Sequence, residues 1–466
     1  MKIYFLADSI SAIRGGLTSS LYKRANELSK NFKNVIILTF NSQSNIESVE
    51  DELKKIGKLD KNIIIKSFFH DQDNLNRKDV SVEKKYAQHG DNFTRIFNIE
   101  GHYIQYNKYT DNSKKKLQFI DYMSSRNPSN KVYREIYRNN IKSCIITYNE
   151  EDIETQKIIL KNDHPFLNII IKENEIKTFV FNEENIQNTT IENEHNKWIK
   201  TFIKSDDIIF FDDNLKKNLN IFKDINCKKI AFFHSHENHD KSSNFLKNSK
   251  DFDNYVFLTS KQLEKITQEN KTIEKKYFLL PHYYKETINL PQDSRTNRII
   301  TISRLTKNKR IIDGIKAFSL IYQKFPNLTY EIYGKGPELE NIIKEIKKLN
   351  LEDKIILKGY TQDPLKLFSE SILSIALSEF EGFGLSILES LSMSCPVISY
   401  DIEYGPKELI KNNVNGFLCP KDDIESIATS IEKIILQNNY FQNNCISSIE
   451  QYSYEKWKNK LLELVK

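Results

Sequence analysis

The chain has 466 residues, of which 39% are hydrophobic and 11% aromatic, so it is long enough for two or three folded domains and too apolar to be intrinsically disordered. Its 69 basic and 63 acidic side chains leave a net charge of only +6. That balance permits an acidic substrate but, in a chain with no nucleic-acid-binding motif, does not indicate RNA or DNA as a partner.

The beginning of the chain predicts a cytoplasmic protein. Strand-like sequence starts at Lys2, which leaves no room for a signal peptide, and no apolar run is long enough to span a bilayer. The five cysteines lack the spacing of a metal site and are expected to be reduced thiols. We therefore expect a cytoplasmic location, with the inner face of the membrane as an open alternative.

Strands and helices alternate over the first part of the chain. Apolar runs at 2–7 and 35–39 flank a helical stretch from about 17 to 30, which is the rhythm of a parallel, Rossmann-type sheet. Gly15 and Gly16 precede that helix but lack the full dinucleotide-binding fingerprint. A phosphate-binding turn at a helix N-terminus fits them better, and a simple turn is the alternative.

The rhythm breaks between about His70 and Lys204. Short aromatic and β-branched runs there predict an antiparallel β-meander inserted into the first domain. The predicted strands are Tyr103–Tyr109, Lys131–Tyr137, Ile145–Tyr148, Leu167–Ile171 and Ile176–Phe181, and basic clusters lie at Lys84–Lys85 and Lys114–Lys116. A solvated surface is the simplest interpretation of the basic clusters.

The parallel pattern resumes with runs at 207–211, 229–233 and 255–259. His234 and His236 follow the second of these, at the carboxyl end of a strand, where open α/β sheets bind ligands. A metal pair is one interpretation, but no third ligand is evident, so we expect polar residues of a cleft.

A stretch from Pro281 to Asn297 predicts a linker, and a second β-α series follows it. Two Rossmann-like halves place an active site in the crevice between them. The predicted domains are an N-terminal Rossmann-like domain (1–68 and 206–285), the inserted meander (69–205), a C-terminal Rossmann-like domain (286–450) and a terminal helix (451–466). We expect the terminal helix to pack back on the first domain.

The stretch around Glu381 and Glu389 carries the most chemistry. An apolar run at 373–377 predicts a buried strand, and a loop containing Gly382, Phe383 and Gly384 leads into a helix that begins near Leu385 and Ser386. The glycines allow the backbone to approach a ligand, and the helix N-terminus favours an anion. The Glu381 carboxylate, in the loop, can then face one end of a bound ligand, while the Glu389 carboxylate, in the helix, reaches the other end.

Cations occur after the first strand of the second half. Arg304 and Lys309 follow the run at 299–302, and a guanidinium with an ammonium suits a diphosphate leaving group. Loops containing Gly334, Gly336 and Tyr360 follow two further strands and are expected to hold a base and a ribose.

These motifs together resemble the retaining, nucleotide-sugar-dependent glycosyltransferases of GT-B fold, family four. More narrowly, the chain resembles the bacterial teichoic acid α-glycosyltransferases of the TarM and TagE type. The narrower resemblance rests on the stretches Gly15–Ser20, Leu357–Thr361 and Asp401–Pro406 and on the meander insert. Related enzymes that glycosylate serine-rich surface proteins share the insert, so the resemblance leaves the acceptor open.

The resemblance implies a role for each matching residue. Glu389 corresponds to the residue that binds the ribose hydroxyls, and Glu381 to the one that contacts the transferred sugar. Arg304 and Lys309 would neutralise the departing UDP, and backbone amides near Gly16 and Gly384 would hold the donor phosphates. His234 or His236 corresponds to the histidine that faces the donor sugar.

Donor, acceptor and assembly follow from the same resemblance. The donor is expected to be a UDP-sugar, UDP-GlcNAc or UDP-glucose, and the acceptor an anionic polyol-phosphate polymer or a Ser-rich protein. No metal or other cofactor is implied, and the insert is expected to mediate a homo-oligomer, which the resemblance makes a trimer. A catalytically silent partner subunit is the remaining alternative, although Arg304, Lys309, Glu381 and Glu389 are all present.

Overall fold

The computed structural model describes most of the chain. It describes residues 1–11, 16–40, 46–68, 86–97, 103–123, 130–138, 140–161, 164–172, 175–181, 186–212, 225–234, 252–269, 276–285 and 295–466. The chain divides into two compact units, Met1–Ile230 and Ala231–Lys466. Gly15, His236, the Lys84–Lys85 cluster and most of the predicted linker lie outside the described residues.

The first unit begins with strands and helices in alternation. The strands are almost continuous apolar runs, and β2 is buried at all five positions, as parallel strands covered on both faces are. The elements are β1 (Ile3–Ala7), α1 (Gly16–Ser29), β2 (Val35–Thr39), α2 (Ile46–Lys55) and β3 (Ile64–Ser67). β1 pairs in parallel with β2, and β2 with β3, which confirms the predicted Rossmann-type start.

A ten-stranded antiparallel sheet follows. Its strands are β4 (Tyr86–His89), β5 (Phe93–Phe97), β6 (Tyr103–Tyr109), β7 (Leu117–Met123), β8 (Lys131–Arg138), β9 (Ile141–Tyr148), β10 (Glu154–Lys161), β11 (His164–Lys172), β12 (Glu175–Phe181) and β13 (Ile186–Thr189). They lie side by side in chain order, so the sheet is the predicted meander. The five predicted strands are β6, β8, β9, β11 and β12, and the other five were missed because their polar residues obscure the alternation.

The strands of the meander are rich in tyrosines. Tyr103, Tyr106, Tyr109, Tyr133 and Tyr137 are all partly buried within the chain. The hydroxyl of Tyr137, for example, donates to the buried carboxylate of Glu135 at 2.7 Å. The tyrosine rings of the meander are therefore not left bare on the surface of the sheet.

Helix α3 (Ile191–Lys200) and strand β14 (Ile208–Asp212) complete the described elements that lie wholly in the first unit. Thr190 caps the helix by accepting the amide of Asn193. Trp198 packs edge-on against Phe40 and Phe68, which follow β2 and β3. α3 therefore packs with the parallel strands, although it lies inside the range predicted for the insert. β14 pairs in parallel with β1.

Strand β15 (Lys228–Phe233) crosses the border of the two units, and β16 (Asn254–Phe257), α4 (Ser260–Glu269) and β17 (Lys276–Leu279) follow it. A six-stranded parallel sheet then begins. Its elements are β18 (Arg298–Ile302), α5 (Ile311–Ile321), β19 (Thr329–Tyr333), α6 (Leu339–Lys348), β20 (Ile355–Gly359), α7 (Pro364–Ser369), β21 (Leu373–Ala376), α8 (Leu385–Ser392), β22 (Val397–Tyr400), α9 (Gly405–Leu409), β23 (Gly416–Cys419) and α10 (Ile424–Leu436).

The strand order of this sheet is β20-β19-β18-β21-β22-β23. The order reverses between β18 and β21, and such a reversal opens a crevice at the carboxyl ends of the two strands. Two final helices, α11 (Asn438–Ser448) and α12 (Tyr454–Val465), follow the sheet. Trp457 of α12 packs against Tyr283, and the amide of Tyr284 donates to the carbonyl of Tyr452 at 3.1 Å. The predicted domain boundaries remain predictions.

None of the helices in the described ranges combines the length and apolar character that crossing a bilayer requires.

A buried ion pair fixes α1 to β14. The guanidinium of Arg24 donates to both carboxylate oxygens of Asp212 at 2.7 and 2.9 Å, and the two side chains are only 2% and 6% exposed. Breaking such a pair leaves a buried charge uncompensated. We expect Arg24→Met to lower the free energy of unfolding of the first unit by about 3–5 kcal/mol.

Denaturation followed by tryptophan fluorescence measures this loss. The chain has two tryptophans, one in each unit, so a Trp457→Phe background isolates the transition reported by Trp198. Lys54→Met is the matched control because it removes a partly exposed helical ion pair with Glu50, which is worth less than about 1 kcal/mol. An equal loss in both variants would contradict the prediction.

Candidate functional site

An ion pair joins the loops that follow β18 and β21. The ammonium nitrogen of Lys309 lies 2.7 Å from Oε2 of Glu381 and donates to the hydroxyl of Ser378 at 3.0 Å. That hydroxyl in turn donates to Oε2 of Glu381 at 3.3 Å. The Lys309 and Glu381 side chains are 17% and 23% exposed, so solvent reaches both. The structure thus brings together two predicted site residues that are 72 positions apart.

Lys309 ends a short 3₁₀ turn that starts at Lys307. Its amide donates to the carbonyl of Thr306 at 2.9 Å, and the carbonyl of Asn308 accepts the amide of Glu379 at 2.8 Å. This second bond links the turn directly to the loop that contains Glu381. The backbone therefore holds the two loops that carry Lys309 and Glu381 next to each other.

Arg304 has an exposed side chain. Within the described part of the chain, its guanidinium makes no hydrogen bond and no ion pair. The next residue, Leu305, is buried, so the loop is anchored immediately beside the exposed cation. A fixed backbone that carries a solvated guanidinium is suited to bind a phosphate.

Gly334 and Gly336 allow the loop after β19 to approach the loop after β18. A Cβ atom on Gly334 would lie 1.8 Å from the carbonyl oxygen of Ser303, and one on Gly336 would lie 2.2 Å from that of Leu305. The amide of Leu305 donates to the carbonyl of Lys335 at 3.0 Å across the same contact. The two glycines are thus required by packing between loops, whatever they contribute to ligand binding.

The loop from Gly382 to Gly384 leads into α8. Gly384 has a φ of 89° and precedes the helix, and Leu385 and Ser386 form its first turn. First-turn amides have no acceptor within their own helix, and no described residue accepts the amides of Leu385 and Ser386. Such amides favour an anionic ligand. Glu389, in the same helix, is partly buried.

Phe383 lies in the predicted ligand-binding loop, but its ring belongs to the hydrophobic core. The ring is 3% exposed and packs edge-on against His282 and Tyr452, at centroid distances of 5.2 and 5.6 Å. A contribution of Phe383 to ligand binding would therefore come from its backbone. Tyr360 differs, because 58% of it is exposed.

The backbone of Glu381 is held from a third loop. Its carbonyl oxygen accepts the amides of Tyr404 and Gly405, at 3.1 and 3.2 Å. Both donors belong to the stretch Asp401–Pro406 that contributed to the family resemblance. That stretch positions Glu381, a role that the sequence did not indicate.

His234 is 4% exposed and lies at the end of β15. Its ring is nearly parallel to that of His282, with 6.2 Å between centroids, and His282 contacts Phe383 in turn. His234 therefore connects through one ring to the loop of Glu381. His236 lies outside the described residues, and Gly16 is the first residue of α1 in the other unit.

A cleft of about 320 Å³, including space open to solvent, lies at the carboxyl ends of β18 and β21. Its lining includes Lys309 and Ser378 together with Ser303 and Ser386. Among the residues that the structure describes, no three His, Cys, Asp or Glu side chains cluster in a way that could hold a metal ion.

The sequence did not single out Ser378 or Arg310. Ser378 directly follows the apolar run that ends at Leu377, and a hydroxyl at a strand's carboxyl end was the available indication. Arg310 follows Lys309 and forms ion pairs with Asp313 and Asp422. Its importance depends on long-range contacts, which no local pattern indicates.

Comparison with known proteins identifies the second half of the chain. Residues 285–452 match the family model "Glycosyl transferases group 1". This range contains the Lys309–Glu381 pair, Arg304 and α8.

Three curated relatives align with the chain. The poly(glycerol-phosphate) alpha-glucosyltransferase of Bacillus subtilis is 26% identical over 100% of this chain and 75% of the relative. The poly(ribitol-phosphate) alpha-N-acetylglucosaminyltransferase of Staphylococcus aureus is 27% identical over 98% and 99%. The GtfA subunit of the UDP-N-acetylglucosamine–peptide N-acetylglucosaminyltransferase of Streptococcus parasanguinis is 28% identical, but over only 53% and 54%.

The fold has a solved counterpart. The crystal structure of TarM superposes with a TM-score of 0.81 at 24% identity, covering 100% of this chain and 98% of the other. A likeness at this level of identity establishes the fold, which is GT-B with an antiparallel sheet in addition. The chain thus has the GT-B fold, carries a glycosyl transferases group 1 domain over residues 285–452, and is similar over nearly its whole length to a poly(glycerol-phosphate) and a poly(ribitol-phosphate) α-glycosyltransferase, as its motifs predicted.

Proposed function

We propose that this protein is a retaining α-glycosyltransferase that moves a hexose or N-acetylhexosamine from a UDP-sugar to a polyol-phosphate cell-wall polymer. The observation that carries the proposal is the Lys309–Glu381 pair beside the exposed Arg304 and the open first turn of α8. Two relatives that align over almost the whole chain are polyol-phosphate transferases, which supports this acceptor.

The charges of the site suit a nucleotide-sugar donor. Arg304 and Lys309 would neutralise the diphosphate, and the amides of Leu385 and Ser386 would donate to its oxygens. The Glu381 carboxylate would then accept hydrogen bonds from hydroxyl groups of the transferred sugar, and the Glu389 carboxylate would accept them from the hydroxyl groups of the ribose. Because Lys309 already contacts Glu381, the ammonium can remain between the sugar-binding carboxylate and the leaving phosphate.

We favour front-side displacement. The bond from the anomeric carbon to the phosphate oxygen breaks while the acceptor oxygen bonds to the same face of that carbon. The acceptor's proton passes to the leaving phosphate, and the cations stabilise the charge that develops there. A covalent intermediate on a Glu carboxylate is the less favoured alternative.

Two other functions can be weighed against this one. Transfer to Ser or Thr of a surface protein would use the same donor chemistry, but the peptide transferase relative aligns over only about half of the chain. A silent partner subunit would not require the Lys309–Glu381 pair.

Incubation with UDP-GlcNAc or UDP-glucose, with and without teichoic acid or a Ser-rich peptide, tests the proposal through UDP release. We expect release that teichoic acid stimulates. Stimulation by the peptide alone would favour the protein acceptor, and the absence of release with either donor would contradict the proposal.

Glu381→Ala and Lys309→Ala are each expected to lower turnover by a factor on the order of 10² or more, because each removes a charge from the reacting centre. Both residues lie in solvent-accessible loops, so the thermal midpoint should change little. Lys307→Ala is the matched control, since it removes a lysine with an exposed side chain from the same turn. Wild-type turnover in either of the first two variants would show that the site is wrongly assigned.

We propose that transfer needs no added metal, because Arg304 and Lys309 can provide the cationic charge that a divalent ion provides in other enzymes. Turnover should therefore be unchanged by EDTA. Loss of turnover in EDTA, with recovery on adding Mn²⁺ or Mg²⁺, would contradict this.

We also propose that the meander assembles the protein into a homo-oligomer close to the inner face of the membrane. Lys114–Lys116, at the turn between β6 and β7, would then be repeated around the assembly and would bind a long anionic polymer at several points. A meander that packs only on its own unit is the alternative.

Excision of 70–189 with a Gly/Ser bridge tests the assembly and retains α3, which packs with the parallel strands. We expect a monomer by light scattering that still releases UDP slowly but no longer prefers long polymer. Lys114–Lys116→Ala in the intact chain is the control, and it should reduce the polymer preference without changing the mass. A monomeric wild type, or an unchanged mass after excision, would contradict the proposal.

A further inference from the structure

Arg310 joins acidic side chains from three separate segments. Its Nε donates to Oδ2 of Asp313 in α5 at 2.7 Å. One terminal nitrogen lies 3.7 Å from the carboxylate of Glu379, in the loop after β21, and the other pairs with Asp422, in the loop after β23. One guanidinium thus connects the start of α5 with two loops at the carboxyl edge of the sheet.

The backbone of Arg310 adopts an unusual conformation. Its φ and ψ are 49° and 37°, in the left-handed region that residues other than Gly, Asn and Asp rarely occupy. This single residue ends the 3₁₀ turn that contains Lys309 and precedes the first residue of α5. An arginine persists in such a conformation when its surroundings stabilise it, and the three carboxylates provide that stabilisation.

The main carboxylate partner is itself fixed. Asp313 is 8% exposed, and its Oδ2 also accepts the hydroxyl of the fully buried Tyr400 at 2.7 Å. Burial and the neighbouring Asp313 carboxylate both raise the pKa of Tyr400, so the hydroxyl keeps its proton and remains a donor. Arg310 is therefore attached to the core of the unit, although its own side chain is 27% exposed.

We propose that Arg310 is a positioning residue that holds the Lys309 turn against the Glu381 loop. Glu379 receives the guanidinium on its side chain while its amide donates to Asn308, so the two loops are held together on both sides of the ion pair. The ammonium nitrogen of Lys309 is then already placed 2.7 Å from Glu381 before a donor binds. This inference rests on the proposed function, in which Lys309 stabilises the leaving diphosphate.

A double-mutant cycle tests whether Arg310 acts through Lys309. R310A should lower turnover roughly 10- to 100-fold, because a small displacement of a reacting group has that effect. The double variant K309A/R310A should be no slower than K309A alone, since Lys309 is no longer there to be positioned. Multiplicative losses would show that Arg310 acts independently and would overturn the proposal.

Two further substitutions separate geometry from charge and from folding. R310K keeps the positive charge but cannot bridge several carboxylates, so it should remain slow, and wild-type turnover in R310K would overturn the proposal. R310G removes the backbone cost of the left-handed conformation. It should unfold at a higher temperature than R310A and yet be equally slow, whereas recovery of turnover with stability would indicate a purely structural role.

K324A is the matched control, because it removes an exposed ion pair with Glu432 elsewhere in the same unit, and its turnover should equal that of the wild type. If the wild type releases UDP from no donor, the proposed function fails. The same cycle is then measured as affinity for UDP, in which the losses from K309A and R310A should again be non-additive. Additive losses in affinity would overturn the positioning role.

Discussion

The ion pair between Lys309 and Glu381 depends on the order of strands in the second parallel sheet. The two residues follow β18 and β21, which are far apart in the chain but adjacent in the sheet, because the strand order reverses between them. At such a reversal the loops of neighbouring strands diverge, and an open crevice remains at the carboxyl edge. The pair lies in this crevice, and both of its members are still reached by solvent. Cationic, anionic and amide groups can thus contact one ligand there, and they remain accessible to solvent until the ligand binds.

Contacts between backbones hold these loops together in addition to the contacts between side chains. The carbonyls of Ser303 and Leu305 approach Gly334 and Gly336 so closely that a Cβ would not fit, and the carbonyl of Glu381 accepts two amides from the loop after β22. Side chains such as that of Arg304 are consequently left exposed on a rigid frame. A preorganised frame of this kind lowers the reorganisation needed when charge develops on a leaving group.

The contacts within the meander differ from those of the crevice in their separation along the chain. Each of its strands pairs with the next strand in the chain, so its contacts are local, whereas the crevice joins residues that are distant in sequence. Its polar side chains also find partners within the sheet: Glu135 accepts the hydroxyls of Tyr122 and Tyr137, and Arg134 donates to both oxygens of Asp121. The half-buried tyrosines are therefore part of a satisfied network and not a bare apolar surface.

The sequence by itself determined the succession of parallel strands, the presence of the meander, the positions of Lys309 and Glu381 just beyond strand ends and that of Glu389 in the helix that follows. Apolar runs and glycine-containing turns are local properties, so they can be recognised without a structure. It could not determine that the Phe383 ring is buried, that α3 packs with β2 and β3, or that Arg310 adopts a left-handed conformation. Only the tertiary structure decided these points. Each depends on a contact with a partner that is distant along the chain, such as Tyr452, Phe68 or Asp422, and a local sequence pattern does not show which distant residues meet.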